Sequence, residues 1–250
     1  MIFQKEYLPQ FREADQDGLV GLRGYMNYFQ DVATHFMHNL HRGNDELPER
    51  YGIVWMYTKY KMQVLQRADF KKELLLETWI PPGRLAAVMR QNLLISRDGE
   101  VYAKGCLESC LYHISQSRLA RLREIAFPAD MAELRACAMP EFEKLSAEPG
   151  DYCYTHQVRY TDLDKTGHMT NLKYIDLCLN AFESHFFEQF EIQEFELHFL
   201  EQCFEGEELQ VYRTDTGGGI RLTALHGEHT PCAVAHLLCK KKEEPHYAGA

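Results

Sequence analysis

Residue types able to do acid–base chemistry are concentrated in one short stretch, Arg159 to Tyr174, which reads RYTDLDKTGHMTNLKY. It places Asp162, Asp164, His168 and Asn171 around Gly167, and an apolar stripe then begins at Leu172, Ile175, Leu179, Phe182 and Phe186. Spacings of three and four residues in alternation predict a helix with one buried face. A loop that gathers ionisable groups and then opens a helix suits hydrolysis or anion binding. The first N–H groups of the helix lack intrahelical acceptors and favour negative charge.

Three chemistries use such residues at such spacings. Asp162-x-Asp164-x-Thr166-Gly167 imitates the start of a calcium-binding loop, but the bidentate glutamate required at the twelfth position falls on Lys173. Asp-x-Asp-x-Thr also looks like the nucleophile motif of haloacid-dehalogenase-type phosphatases. There it follows a buried parallel strand, which reads as a continuous apolar run, whereas Tyr152 to Tyr160 (YCYTHQVRY) mixes polar and aromatic residues. Loop and helix together, Asp164-x-Thr166-Gly167-His168-x-x-Asn171-x-x-Tyr174, resemble the motif of the fatty acyl-ACP thioesterases. In that family an aspartate, an asparagine two residues on and a histidine two further on precede the long helix of a hotdog domain. A glutamate stands on the next strand, where this chain has Glu201 in Phe199-Leu200-Glu201-Gln202-Cys203. Thr166 departs from the family's usual asparagine. The segments Trp55 to Trp79, Arg97-Asp98-Gly99 and Ser117 to Ile125 also resemble the family's first half, so the likeness spans nearly the whole chain.

The elements that must position this loop repeat. Met26, Phe29, Ala33, Phe36 and Leu40 form the same stripe at an offset of 146 residues, which aligns Tyr28 with Tyr174. Each half then reads as strand, long helix and several antiparallel strands, an α+β arrangement in which the helix covers one face of the sheet. The expected fold is a tandem hotdog: residues 1–126 the first domain, 127–150 a proline-bearing linker with a short helix near Met131 to Cys137, and 151–250 the second. At this offset Leu22 stands in place of His168 and Tyr25 in place of Asn171, and aligning Glu73-Leu74-Leu75-Leu76 with Glu208-Leu209-Gln210-Val211 puts Gln66 opposite Glu201. The second half alone carries the full set.

Composition narrows the function classes. A chain of 250 residues with 45% hydrophobic content has ample core for one large or two small domains. No apolar run approaches the ~20 residues that span a bilayer, and the N-terminus lacks a basic segment followed by an apolar one, so a cytoplasmic protein is expected. Eight cysteines without a Cys-x-x-Cys pair read as reduced thiols. His35, His38 and His41 drift about 60° per step around a helix, so no metal site and no cofactor is expected. A formal net charge of −10 argues against nucleic acid as the natural partner, so none is expected.

The resemblance implies hydrolysis of the thioester in acyl-acyl carrier protein, releasing free fatty acid in fatty acid biosynthesis. It names Asp164, Thr166, His168 and Glu201 as the catalytic set. Either Glu201 or Asp164 acts as general base, or Asp164 attacks directly; His168 orients water or protonates the leaving thiolate, and backbone N–H groups near Met169 face the oxyanion. Asn171, Met26, Phe29, Trp55 and Met56 are the substrate-binding candidates, with the first domain accommodating the acyl chain. Cys203, two residues beyond Glu201, is either a nucleophile or a core residue. The carrier is acidic, so docking needs a local basic patch, with Lys59, Lys61, Arg67, Lys71 and Lys72 among the candidates. The alternatives are an acyl-CoA thioesterase with the same site and a non-catalytic acyl-binding protein; a monomer or a homodimer fits either.

Overall fold

The computed structural model describes residues 1–82, 87–136, 138–227 and 229–242. Two compact units divide it: Met1–Leu145 with Glu196–Leu200, and Ser146–Phe195 with the segment from Glu201 onward.

The first unit contains β1 (Ile2–Tyr7), α1 (Leu22–Asn39), α2 (Leu47–Tyr51), β2 (Ile53–Val64), β3 (Leu74–Trp79), β4 (Val88–Arg97), β5 (Glu100–His113) and β6 (Arg118–Ala120). Its antiparallel sheet runs β1-β3-β4-β5-β2, with β6 on β5. Helix α1 buries Tyr25, Met26, Tyr28, Phe29, Val32, Ala33 and Phe36. Close approach to the sheet depends on Gly105, where a Cβ would lie 2.8 Å from the Phe29 ring. Between β4 and β5, Asp98 and Gly99 take left-handed conformations, as a two-residue hairpin turn requires.

The second unit contains β7 (Asp151–Gln157), α3 (Asn171–Leu179), α4 (Ser184–Gln189), the part of β8 (Phe190–Phe199) up to Phe195, β9 (Glu208–Thr216), β10 (Gly219–His226) and β11 (Thr230–Lys241). Its strands run β8-β11-β10-β9-β7. Tyr174, Leu177 and Cys178 of α3 face Val211, Leu222, Ala224, Ala233 and Ala235 of the sheet. Each unit is a helix on an antiparallel sheet, and the fold is a double α+β hotdog. No helix among the described residues is long and apolar enough to cross a membrane.

Three expectations change. The second helix is not one long element: α3 stops at Leu179, and tight turns at Ala181 and Phe182 separate it from α4. Phe182 instead stacks on Phe186 at 4.5 Å and receives the Arg213 guanidinium at 4.8 Å, so aromatic packing overrides helical continuity. The segment near Met131 forms only a 3-10 turn, Ala129–Met131. Its backbone is taken up by the first sheet, through Glu133 N–H to the Ile80 carbonyl and Ala138 N–H to Asn92 Oδ1. Cys137 lies outside the described residues.

The repeat register also shifts, from 146 to 149 residues. Asp15 N–H bonds to the Leu19 carbonyl at 2.9 Å as Asp164 N–H does to that of His168 at 2.8 Å, and Val20 N–H bonds to Ala68 as Met169 N–H does to Cys203. The Tyr25 hydroxyl donates to the Gln66 carbonyl at 3.1 Å and the Tyr174 hydroxyl to that of Glu201 at 3.0 Å. His168 therefore corresponds to Leu19, Asn171 to Leu22 and Tyr174 to Tyr25, while Gln66 and Glu201 remain matched. A 3,4,3,4 stripe slid by one turn still matches most of its apolar positions, so it cannot fix register alone. The loop glycines can: Gly18 (φ 78) and Gly167 (φ 81) both occupy the left-handed region.

Candidate active site

The loop from Asp164 to His168 is anchored from below. Its base is a 3-10 turn, Tyr160–Asp162, whose buried Asp162 carboxylate accepts from the Arg159 N–H (3.0 Å), His156 Nε2 (2.8 Å) and Lys173 Nζ (3.3 Å). Burial pushes this carboxyl up, but the Arg159 N–H, His156 and Lys173 outweigh it and hold the group below the usual carboxylate range. The contribution of a depressed carboxyl is complete above its unfolded pKa of about 3.9 and is lost as pH falls through the folded value. Urea unfolding of Asp162→Asn should therefore show a loss of about 1–3 kcal/mol near neutrality that shrinks below about pH 4. An undiminished gap in acid would contradict this role.

Above the anchor, three side chains join. Asp164 Oδ1 accepts from the Thr166 N–H (2.8 Å), the Thr166 hydroxyl (2.6 Å) and the His168 N–H (3.4 Å). Thr166 Oγ1 also lies 2.8 Å from His168 Nδ1. A hydroxyl has one proton to give; with it donated to Asp164, the oxygen accepts from Nδ1–H, which leaves the Nε2 lone pair of His168 free to take a proton. The ring rests against Phe204 at 4.9 Å. Asp164 and Thr166 are exposed and His168 is half-buried, so the loop is open to a reactant.

Other predicted residues are placed differently. Asn171 is the first residue of α3, after Thr170 at the cap. Glu201 is exposed; its N–H bonds to the Cys232 carbonyl, and its carboxylate hydrogen-bonds neither to Asp164, Thr166 and His168 nor to any other described residue. Cys203 is fully buried and in contact with Cys232 and Tyr174, as a core residue. The Met169 N–H is already given to the Cys203 carbonyl and that of Thr170 to Asp162. One step later, the N–H groups of Asn171 and Leu172 in the first turn of α3 have no acceptor among the described residues.

In the first unit Met26, Phe29 and Trp55 are buried in packed core, while Met56, the next residue along β2 from Trp55, is half-buried on the opposite face. Lys59 pairs with Glu108, buried Lys61 with Glu196, and Arg67 with Asp15 and Asp17, so these cations are used internally. His35, His38 and His41 meet Lys5, Asp45 and Glu46 separately. Sequence reasoning missed His156, which lies on β7 three residues before the Arg159–Tyr174 stretch, and Phe204, which lies too far along the chain for spacing to reveal it.

The first unit's equivalent loop carries different side chains and contacts. Leu19 stands for His168 and Asp17 for Thr166, and Arg67 reaches across to Asp15 Oδ2 (2.8 Å), Asp17 Oδ2 (2.5 Å) and the Leu19 and Val20 carbonyls. No imidazole is present, and the aspartate is neutralised.

Known structures share this architecture. An acyl-ACP thioesterase from Bacteroides thetaiotaomicron superposes with a TM-score of 0.86 at 13% identity, covering 96% of this chain and 98% of that one. The 12:0-ACP thioesterase from Umbellularia californica gives 0.83 at 20% identity with the same coverage. In sequence, the chloroplastic dodecanoyl-[acyl-carrier-protein] hydrolase of Cinnamomum camphora is 22% identical over 234 residues, 87% of this chain. The chain spans 60% of the length of that relative. The family model for the acyl-ACP thioesterase N-terminal domain matches residues 1–115 and that for the C-terminal domain residues 150–248. With both halves matched in order, the chain belongs to the acyl-ACP thioesterase family.

Proposed function

We propose that the protein hydrolyses the thioester of acyl-acyl carrier protein and releases free fatty acid for lipid metabolism. The observation that carries this reading is the Asp164–Thr166–His168 chain of hydrogen bonds at the opening of α3. Asp164 and Thr166 hold the imidazole with Nε2 as acceptor; Nε2 takes a proton from water as the water oxygen attacks the thioester carbonyl. The oxyanion is met by the amides at the start of α3. As the C–S bond breaks, the imidazolium returns its proton to the departing thiolate, leaving a carboxylic acid and the carrier's phosphopantetheine thiol. Thr166 supplies through one hydroxyl the link between acid and imidazole, so its replacement of the family's asparagine is compatible with turnover. Glu201 lies outside this hydrogen-bonded set, which favours His168 as the proton-transfer group.

The first unit has lost the catalytic set, and we assign it the acyl chain, on the apolar face where α1 meets its sheet. Free-thiol release from acyl-ACP and acyl-CoA esters of increasing chain length tests the reading. Faster turnover of carrier-bound chains is the expected result. Turnover of CoA esters alone moves the substrate to acyl-CoA, and no turnover of either makes this an acyl-binding protein.

A further inference from the structure

Within the proposed reaction, the geometry points to Gln202 as the residue that holds the attacking water against Asp164. The argument rests on the internal repeat. Strand residues correspond at an offset of 135, as the Tyr25 bond to Gln66 and the Tyr174 bond to Glu201 show. The isolated bridge Leu19 to Asp69 likewise matches His168 to Phe204. Gln66 pairs with Glu201, Ala68 with Cys203 and Asp69 with Phe204, so Arg67 pairs with Gln202.

In the first unit the consecutive residues Gln66 and Arg67 send their side chains different ways. Gln66 turns to the Val101 carbonyl (3.2 Å), on the neighbouring strand, and away from the loop. Arg67 crosses the loop and donates to Asp15 Oδ2. Transferred to the second unit, the first direction belongs to Glu201 and the second to Gln202. Asp164 presents the matching oxygen: Oδ1 takes all three donors from its own loop, while Oδ2 takes none from a described residue.

Length decides what happens there. An arginine spans the distance and neutralises the carboxylate, as in the first unit. Glutamine ends about two bonds earlier and carries no charge. Its carboxamide therefore reaches Asp164 Oδ2 through one water, with an amide N–H and a carbonyl oxygen able to orient that water beside His168. Replacement of arginine by glutamine at this position distinguishes an open loop from a clamped one.

Two variants test the assignment. Gln202→Ala should lower kcat for acyl thioesters by about tenfold or more with KM little changed, because the water loses its orientation while acyl binding is untouched. Gln202→Arg should recreate the first unit's clamp: kcat falls by about a hundredfold, and the thermal midpoint rises. In an Asp164→Asn background that rise should vanish, a coupling that needs no turnover to be read. A Gln202→Ala enzyme with wild-type kcat, or a Gln202→Arg midpoint that responds identically with and without Asp164, overturns the proposal. If the wild-type protein cleaves no thioester, the reaction fails as a reading, and the thermal cycle still decides whether residue 202 faces Asp164.

Discussion

His168→Ala should lower kcat for thioester hydrolysis by about a thousandfold, the range expected when a positioned proton-transfer group is removed, while the fold barely responds. The ring is half-buried, and its side-chain contacts are the Thr166 hydroxyl and the Phe204 face. Losing one partly exposed hydrogen bond costs about 1 kcal/mol. Thiol release and thermal unfolding of the same preparation separate the two effects. Thr166 sharpens the prediction. Thr166→Val keeps the shape but removes the hydroxyl that joins Asp164 to Nδ1, so the imidazole loses both its orientation and its tautomer, and kcat should drop by about a hundredfold. Thr166→Asn, which restores the family's usual residue, should retain most of the activity, because an amide can also accept from Nδ1 and donate to a carboxylate. A His168→Ala protein with more than a tenth of wild-type kcat would remove the imidazole from the mechanism.

What the sequence made legible depended on whether the signal was local. The loop from Asp164 to His168 is short, and its side chains meet as their spacing implies, since glycine at 167 and the residues around it close one turn. The helix stripe was legible as a helix but not in register, because a periodic pattern carries little information about its own phase. The break after Leu179 was hidden for a related reason. Phe182 and Phe186 keep helical spacing while serving an aromatic cluster around Arg213. Glu201 illustrates the opposite limit. Its type suits a general base, yet its carboxylate hydrogen-bonds to none of Asp164, Thr166 and His168, and no local mark in the sequence shows where that side chain lies.

The largest effect on stability is expected from Lys61, whose ammonium lies 2.8 Å from Glu196 with both side chains almost fully buried. Glu196 also accepts from the Glu143 N–H and His198 Nε2, each at 2.8 Å. Burial pushes the Glu196 carboxyl up, but His198 and Lys61 overcome it and hold the group below its ordinary value. Lys61→Ala removes the charge that compensates a buried carboxylate and should cost about 3–5 kcal/mol, a fall in thermal midpoint of roughly 10 °C for a chain of this size. The pH dependence provides the internal check. In the wild type the ionic contribution is present above the unfolded pKa of about 4.3 and is lost as pH falls through the lower folded value. In Lys61→Ala the uncompensated carboxyl titrates upward instead, so protonation relieves the variant while it weakens the wild type, and their stabilities should converge in acid. Adding Glu196→Gln to Lys61→Ala should recover much of the loss at neutral pH, because a neutral amide oxygen still accepts from the Glu143 N–H and His198 and no charge remains to desolvate. If that double variant were no more stable than Lys61→Ala, the loss would lie in the packing of the lysine stem, and the buried charge pair would not be its cause.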